Sequence, residues 1–275
     1  MLTKSHGLGN DYLVADPGEL PCAVTPARVR LLCDRHAGVG SDGLLLLDPT
    51  QGPDEPGLRI FNPDGSEAEK SGNGLRIFAK WLFDTHRVSS RQFTIHTPGG
   101  AASVQIDEAR EGRARILSVG MGRPVFREDV RELAIDGQTL QVVALSVGNP
   151  HCVILRQRLD ADELRRLGPR VERHPAFPNR TNVQLAQPTS RTTLELLIWE
   201  RGAGETRASG SSACAAFAAC YQLGLVDAQV IARMPGGELI IQMEPDGSLT
   251  MRGPVEEIAY VSLSPELIAR LQALP

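Results

Sequence analysis

The 275-residue sequence predicts an α+β fold of two pseudo-symmetric domains, each a β-barrel-like sheet wrapped around a central helix. The first of three observations is an internal repeat. EKSGNGLRIFAKWL at 69–82 sets a glycine-rich turn against a helical run with Ser71 at the join, and RASGSSACAAFAACYQL at 207–223 does the same with Ser209, 138 residues on. Gly9 of GND pairs with Gly148 of GNP, Phe61-Asn62 with Trp199-Glu200, and TPGGAASVQI at Thr97 with MPGGELIIQM at Met234, at spacings of 139, 138 and 137. Chance matches of common Gly and Pro would not keep one order with a drift of two residues. The second observation is a series of short apolar runs bounded by Gly, Pro, Asn and Asp. These read as strands of a twisted or barrel-like sheet rather than as βαβ units. The third is that ACAAFAACYQL at 213–223 is apolar almost all round, as a helix surrounded by protein must be.

In the first half, strands are expected at YLVAD (12–16), GLLLLD (43–48), LRIF (58–61), FTIHT (93–97) and ASVQI (102–106). In the second they are VVALSV (142–147), CVILR (152–156), VQLAQ (183–187), LELLIWE (194–200), LIIQME (239–244) and SLTMRG (248–253). Helices are expected at 25–35, 72–84, 161–167, 211–223 and 265–273. Within 72–84, Leu75, Phe78, Ala79 and Leu82 form one stripe, with Ile77 and Trp81 beside it. The polar stretch DEAREGRAR at 107–115 is the expected linker. It divides the chain into an N-terminal half, 1–111, completed by the C-terminal segment 259–275, and a C-terminal half, 112–258.

A net charge of −4 and a pI near 5.9, with no basic cluster, argue against a nucleic-acid partner and for a small molecule. No run approaches the roughly 18 apolar residues of a membrane span. MLTKSHGLGNDYLV has no apolar core of signal-peptide length, so a cytoplasmic protein with no membrane partner is expected. Cys22, Cys33, Cys152, Cys214 and Cys220 show no zinc-type spacing, and their odd number does not suggest a disulfide framework, so buried reduced thiols are expected. None of the six histidines is paired at metal-ligand spacing, and no metal is expected.

Ser71 and Ser209 stand where an N-cap would, since a serine oxygen accepts an orphan backbone N–H. Each is followed by residues that let an anion approach the backbone at the positive end of a helix dipole, Gly72-Asn73-Gly74 in one case and Gly210-Ser211-Ser212 in the other. Two such helix starts, facing each other across a pseudo-twofold axis, would make a cleft suited to a carboxylate.

HGLGNDYLV, RHAGVGSDGLLLL, FNPDGSEAEKSGNGLRIFA, VGNPHCV, TNV and ERGAGETRASGS, followed by GPVEEIAY near the end, resemble in order the motif series of the diaminopimelate epimerase family. The resemblance implies the same two-domain fold with the active site between the domains. It also implies a cofactor-independent isomerase and a homodimer. The leading reaction is conversion of LL- to meso-diaminopimelate, a precursor of lysine and peptidoglycan. In the family, one cysteine thiolate removes the α-proton and a second cysteine thiol delivers one to the opposite face; a thiol's ordinary pKa near 8.5 can be lowered at a helix N-terminus.

This sequence places Ser71 and Ser209 at those two catalytic positions, Lys70 where Met is usual, and Ser211-Ser212 where Thr-Gly is usual. A serine hydroxyl is a poor base unless a neighbour takes its proton. Four explanations stay open: serines activated by a neighbour such as His151, Glu200 or water; a related isomerase or lyase acting on another small amino or hydroxy acid; a binding protein without turnover; or an engineered, inactivated enzyme. By resemblance, Asn10, Asn62, Asn149 and Asn182 are amide ligands of the substrate, although Asn beside Gly or Pro also favours turns. Gly72, Asn73, Gly210 and Ser211 supply the helix-start donors. Glu200 meets the substrate ammonium, Arg201 clamps a distal carboxylate, and His151 lies beside the catalytic pair. Cys152 on a buried strand and Cys214 within a helix are not expected to replace the missing thiols.

Overall fold

Two helices cannot face water, and a sheet is organised around each. Every residue from Gly72 to Leu82 is buried, Arg76 and Lys80 included, and so is every residue from Gly210 to Cys220. The computed structural model describes residues 1–48 and 55–275, which fall into two units: Met1–Val119 with Pro254–Pro275, and Gly120–Gly253.

In the first unit, β1 (Leu2–Gly7) and β2 (Asn10–Ala15) form a hairpin, and Leu8 and Gly9 in its turn take φ of 57° and 86°. Helix α1 (Pro26–Cys33) starts at Thr25, whose hydroxyl accepts the Arg28 N–H. β3 (Leu44–Asp48) runs parallel to β2, with Leu13 opposite Leu44, and antiparallel to β4 (Gly57–Phe61). A short β5 (Glu67–Ala68) then leads into the buried helix α2 (Gly72–Asp84). β6 (Gln92–Thr97), parallel to β4, β7 (Gly100–Arg110) and β8 (Arg113–Gly122) follow as an antiparallel meander. α2 packs on β1, β2 and β7. The buried Lys80 charge is matched: Lys80 Nζ donates to Asp84 Oδ2 (2.6 Å) and to the Ala114 carbonyl (2.7 Å), and Asp84 Oδ1 accepts the Ala114 N–H (2.8 Å).

The second unit opens with β9 (Val125–Phe126) and a separate hairpin of β10 (Glu132–Ile135) and β11 (Gln138–Gln141). β12 (Val143–Ser146) pairs with β13 (Pro150–Leu155), and helix α3 (Ala161–Glu172) follows. β14 (Asn182–Ser190) lies parallel to β13, with Cys152 opposite Val183, and antiparallel to β15 (Thr193–Glu200). After β16 (Gly204–Thr206) and the buried helix α4 (Gly210–Gln222) come β17 (Gln229–Met234), parallel to β15, then β18 (Gly237–Met243) and β19 (Leu249–Pro254). The chain returns to the first unit as β20 (Glu256–Val261), antiparallel to β1, and α5 (Pro265–Ala273).

The two units repeat one connectivity. A hairpin feeds a parallel neighbour, an antiparallel strand follows, and the buried helix intervenes before another parallel strand. The fold is therefore α+β with two pseudo-symmetric units, each a sheet around a central helix.

Two sequence expectations need correction. Residues 107–115 are not a linker but the tips of β7 and β8, joined through Glu111 and Gly112 at φ of 53° and 75°. The stretch is polar because most of it faces water, with Ala114 the one residue of it that is buried. The helix expected at 161–167 continues to Glu172 through Pro169. Its buried side holds Leu164, Leu167 and Val171, and Gly168 lies so close to Trp199 that a Cβ would fall 2.6 Å from the indole. The longer strands β1, β8, β17 and β20, and the short β5, β9, β10, β11 and β16, carry no expectation from the sequence.

Candidate active site

In the first unit, Ser71 adopts an extended backbone (φ −138°, ψ 121°) and ends the chain's approach to α2. Its Oγ accepts the Gly74 N–H at 3.1 Å, so it is an N-cap in fact. A Cβ on Gly74 would meet Ser71 Cβ and Leu45 Cδ2 at 3.1 Å, which keeps that turn tight over the serine. Tyr12, on β2, brings its Oη to 3.4 Å from Ser71 Oγ.

The amides beside Ser71 have fixed directions. Arg76 Nη2 donates to Asn73 Oδ1 (2.7 Å), Asn73 Nδ2 to Asn10 Oδ1 (3.1 Å), and Asn10 Nδ2 to Asp42 Oδ2 (3.0 Å). A guanidinium can only donate and a carboxylate can only accept, so the chain between them runs one way. Asp42 is held in turn by Arg35 at 2.7 Å and by the Asp11 N–H at 3.1 Å. Asn62 behaves differently. Its Nδ2 donates to Ser66 Oγ at 3.0 Å, and its backbone pairs with Ser66 and Gly65, so its side chain takes part in the turn after β4.

In the second unit, Ser209 has nearly the same backbone (φ −143°, ψ 122°) before α4 but makes no capping bond. Asn149 Nδ2 points at Ser211 Oγ (3.5 Å) and its Oδ1 lies 2.8 Å from His151 Nε2. His151 Nδ1 is 3.0 Å from Gln184 Nε2, which also donates to Ser212 Oγ at 3.0 Å. An amide oxygen accepts, so Nε2 carries the imidazole proton and Nδ1 accepts from Gln184. Burial, and then the positive charge of Arg201, lower the His151 pKa to about 3, and the ring is neutral. With both nitrogens committed, His151 holds Asn149 in place and is not poised to take a proton from Ser209.

Asn182 ties three strands together. Its Oδ1 accepts the Arg201 N–H (2.9 Å) and its Nδ2 donates to the Pro150 carbonyl (2.9 Å). Glu200 and Arg201, at the end of β15, are half-buried. Glu200 Oε1 accepts from the Thr206 hydroxyl (2.8 Å), and Arg201 Nη1 donates to the Asn179 carbonyl (3.3 Å). Gly72, Gly210 and Ser211 are buried in the first turns of their helices.

The cysteines are free thiols. Burial pushes Cys152 far above the ordinary thiol range and Cys220 up to about 12, which makes both inert as bases. Among the described residues, no group of three or more His, Cys, Asp and Glu side chains is arranged to hold a metal ion.

Sequence reasoning missed Tyr12, Asp42, Arg76 and Gln184. For Tyr12 a signal existed, since the repeat that pairs Gly9 with Gly148 also pairs Tyr12 with His151. The same spacing pairs Asn10 with Asn149, and the 138-residue spacing of the two serines pairs Asn73 with Ser211. The contact between this asparagine and the first helical turn is thus made twice. Nothing local marks Arg76 or Gln184 as partners of these amides.

Comparison with known proteins agrees with this architecture. The family described as diaminopimelate epimerase matches residues 2–127 and 143–258. A protein named diaminopimelate epimerase 2 from Nostoc sp. is 43% identical over 278 residues, covering 97% of this chain and 96% of its own. The diaminopimelate epimerase of Pelotomaculum thermopropionicum is 40% identical, covering 93% and 96%. Among solved structures, a probable proline racemase from Agrobacterium radiobacter superposes with a TM-score of 0.74 at 17% identity, covering 97% of this chain and 95% of that one. A hydroxyproline epimerase from Agrobacterium vitis gives 0.75 at 14% identity, covering 94% and 90%. At such identities these two structures speak for the fold, while the full-length sequence matches speak for the family. The chain belongs to the diaminopimelate epimerase family.

Proposed function

We propose that the protein is a cofactor-independent isomerase that inverts the α-carbon of an amino acid, with LL- to meso-diaminopimelate as its reaction. The observation that carries this reading is the duplicated constellation of a serine at the start of a buried helix with an asparagine amide held against that helix's first turn. Backbone N–H groups at a helix start suit a carboxylate. They also favour the charge that builds up on that carboxylate as a carbanion forms beside it. Inversion needs two groups, one for each face of the carbanion, and the two repeats supply one serine each. Arg201, with a planar fork, suits a distal carboxylate, and Glu200 suits an ammonium group. The family membership and the names of the relatives support the same substrate. In this reading the protein works in the cytoplasm as a homodimer, as the family resemblance implies.

The test is proton NMR of the purified protein with LL-diaminopimelate in D2O, beside a Ser71→Cys/Ser209→Cys variant. Loss of the α-proton signal with the serine protein is the expected result. Exchange by the cysteine variant alone would mean a pocket that binds this substrate but does not turn it over. Silence from both would reject the substrate.

A further inference from the structure

Ser71 and Ser209 share a backbone conformation but not a neighbourhood. Tyr12 is 7% exposed, and its hydroxyl faces Ser71 Oγ at 3.4 Å. The ring owes its place to an absent side chain. A Cβ on Gly43 would lie 2.6 Å from Tyr12 Cε1 and 2.5 Å from the Phe61 carbonyl oxygen, so glycine at 43 leaves the room that the phenol ring fills. From the helix side, the Gly74 N–H donates to the same Ser71 oxygen at 3.1 Å, at the positive end of α2. Ser71 Oγ is therefore flanked by a donor that favours negative charge on it and by an ionisable hydroxyl. At the equivalent place in the second unit stands His151, with both nitrogens engaged elsewhere, and Ser209 has no capping bond.

We propose that Tyr12 is the proton-relay partner of Ser71: as a phenolate it takes the Ser71 hydroxyl proton while Ser71 Oγ takes the α-proton of the substrate. This rests on the isomerase reading above. The Cα–H bond and the old Oγ–H bond break, and a new Oγ–H bond and an Oη–H bond form. The electron pair of the Cα–H bond stays on carbon, and the negative charge passes from Tyr12 to the carbanion. The phenol's own proton has gone to solvent beforehand. A phenol ionises far more readily than an aliphatic hydroxyl, so a free serine alkoxide never has to accumulate. The 3.4 Å separation exceeds the roughly 2.8 Å usual for O–H···O bonds, and catalytic hydrogen bonds are often long before substrate arrives. Tyr12 acts through Ser71 and is a positioning residue, not one placed against substrate.

The test measures α-proton exchange of LL-diaminopimelate in D2O for the wild-type protein, Tyr12→Phe, Ser71→Cys and the two combined. Phenylalanine keeps the ring against Gly43 and removes only the oxygen. Tyr12→Phe in the serine protein is expected to lower kcat for exchange by about 100-fold or more, the scale of a lost general base, with KM changed by less than about threefold. In the Ser71→Cys background, where a thiol ionises on its own, the loss is expected to be at least about tenfold smaller. Equal losses in both backgrounds overturn the relay, as they would follow from disturbed packing alone. An inactive Ser71→Cys protein also overturns it, because a thiol needs no relay. If the wild-type protein exchanges its substrate and Tyr12→Phe does so as fast, the relay fails and the isomerase reading stands. If the wild-type protein exchanges nothing, both fail together.

Discussion

His151 illustrates how surroundings decide the work of a titratable side chain. The motif GNPHCV makes it look like a candidate base, yet the structure gives it Asn149 on one nitrogen and Gln184 on the other inside a fully buried site. In an unfolded chain a histidine binds its proton near pH 6.5, whereas folded His151, desolvated and near Arg201, does so only near 3. Between those values the unfolded state holds the extra proton. The stability present above about pH 6.5 is therefore lost as the pH falls toward 3. Urea unfolding near pH 7 and near pH 5.5 measures this. The wild-type protein should lose about 1 kcal/mol more across that interval than His151→Gln, which has nothing to titrate. The same loss in both proteins would mean that His151 accepts its proton while folded. None of this is legible in the sequence, because Gln184 and Arg201 reach the ring through strand pairing across 33 and 50 residues.

At the scale of elements, the two central helices start alike in backbone and differ in their caps. Ser71 Oγ accepts an N–H from the first turn of α2, and Ser209 Oγ accepts none from α4. Ser71→Ala should therefore lower stability by about 1 kcal/mol. Ser209→Ala should change it by no more than a few tenths, or raise it by removing a buried hydroxyl. Chemical denaturation of the two variants decides the point, and equal losses would show that Ser209 caps its helix in solution. Both helices were legible to within a residue because their signals are local: a Ser-Gly start, then an apolar run with helical period. The strands that escaped lack such a signal. In β1 the buried positions include Thr3 and Ser5, so no apolar alternation marks a face, and in β20 both Ile258 and Tyr260 are exposed. The β7–β8 hairpin looked like a linker for the same reason, its tip being polar on both strands. Sequence motifs reach as far as the two serines at the helix starts and the asparagines Asn10 and Asn149 near them, while Asn62 lies in the turn after β4. Tyr12 escaped as part of the apolar run YLVAD, and its relation to Ser71 depends on the empty space at Gly43.

For the whole molecule, the repeat explains the plan of each unit but not how the chain closes the first one. β1 pairs on one side with β2 and on the other with β20, with Leu2 opposite Val261. Leu271 of α5 is 1% exposed and belongs to the core cluster of Leu2, Leu13, Val29, Leu32 and Leu44. Arg28 fastens the same segment by donating to the carbonyls of Leu271 (2.9 Å) and Leu274 (2.6 Å). The second unit is continuous in sequence, and the described members of its core cluster, Val130, Leu164, Val171, Phe177 and Leu185 among them, all lie before Gly253. A chain ending at Gly253 should therefore fail in one unit. It leaves β1 without one partner and strips apolar cover from α1, a loss of several kcal/mol against a domain stability of about 5–15 kcal/mol. Hydrogen exchange followed by mass spectrometry should find amide protection lost across β1, β2 and α1 and retained across β13, β14 and α4. Protection lost uniformly would mean that the two units fold as one cooperative body, and protection retained in β1 would mean that β2 alone suffices to hold it.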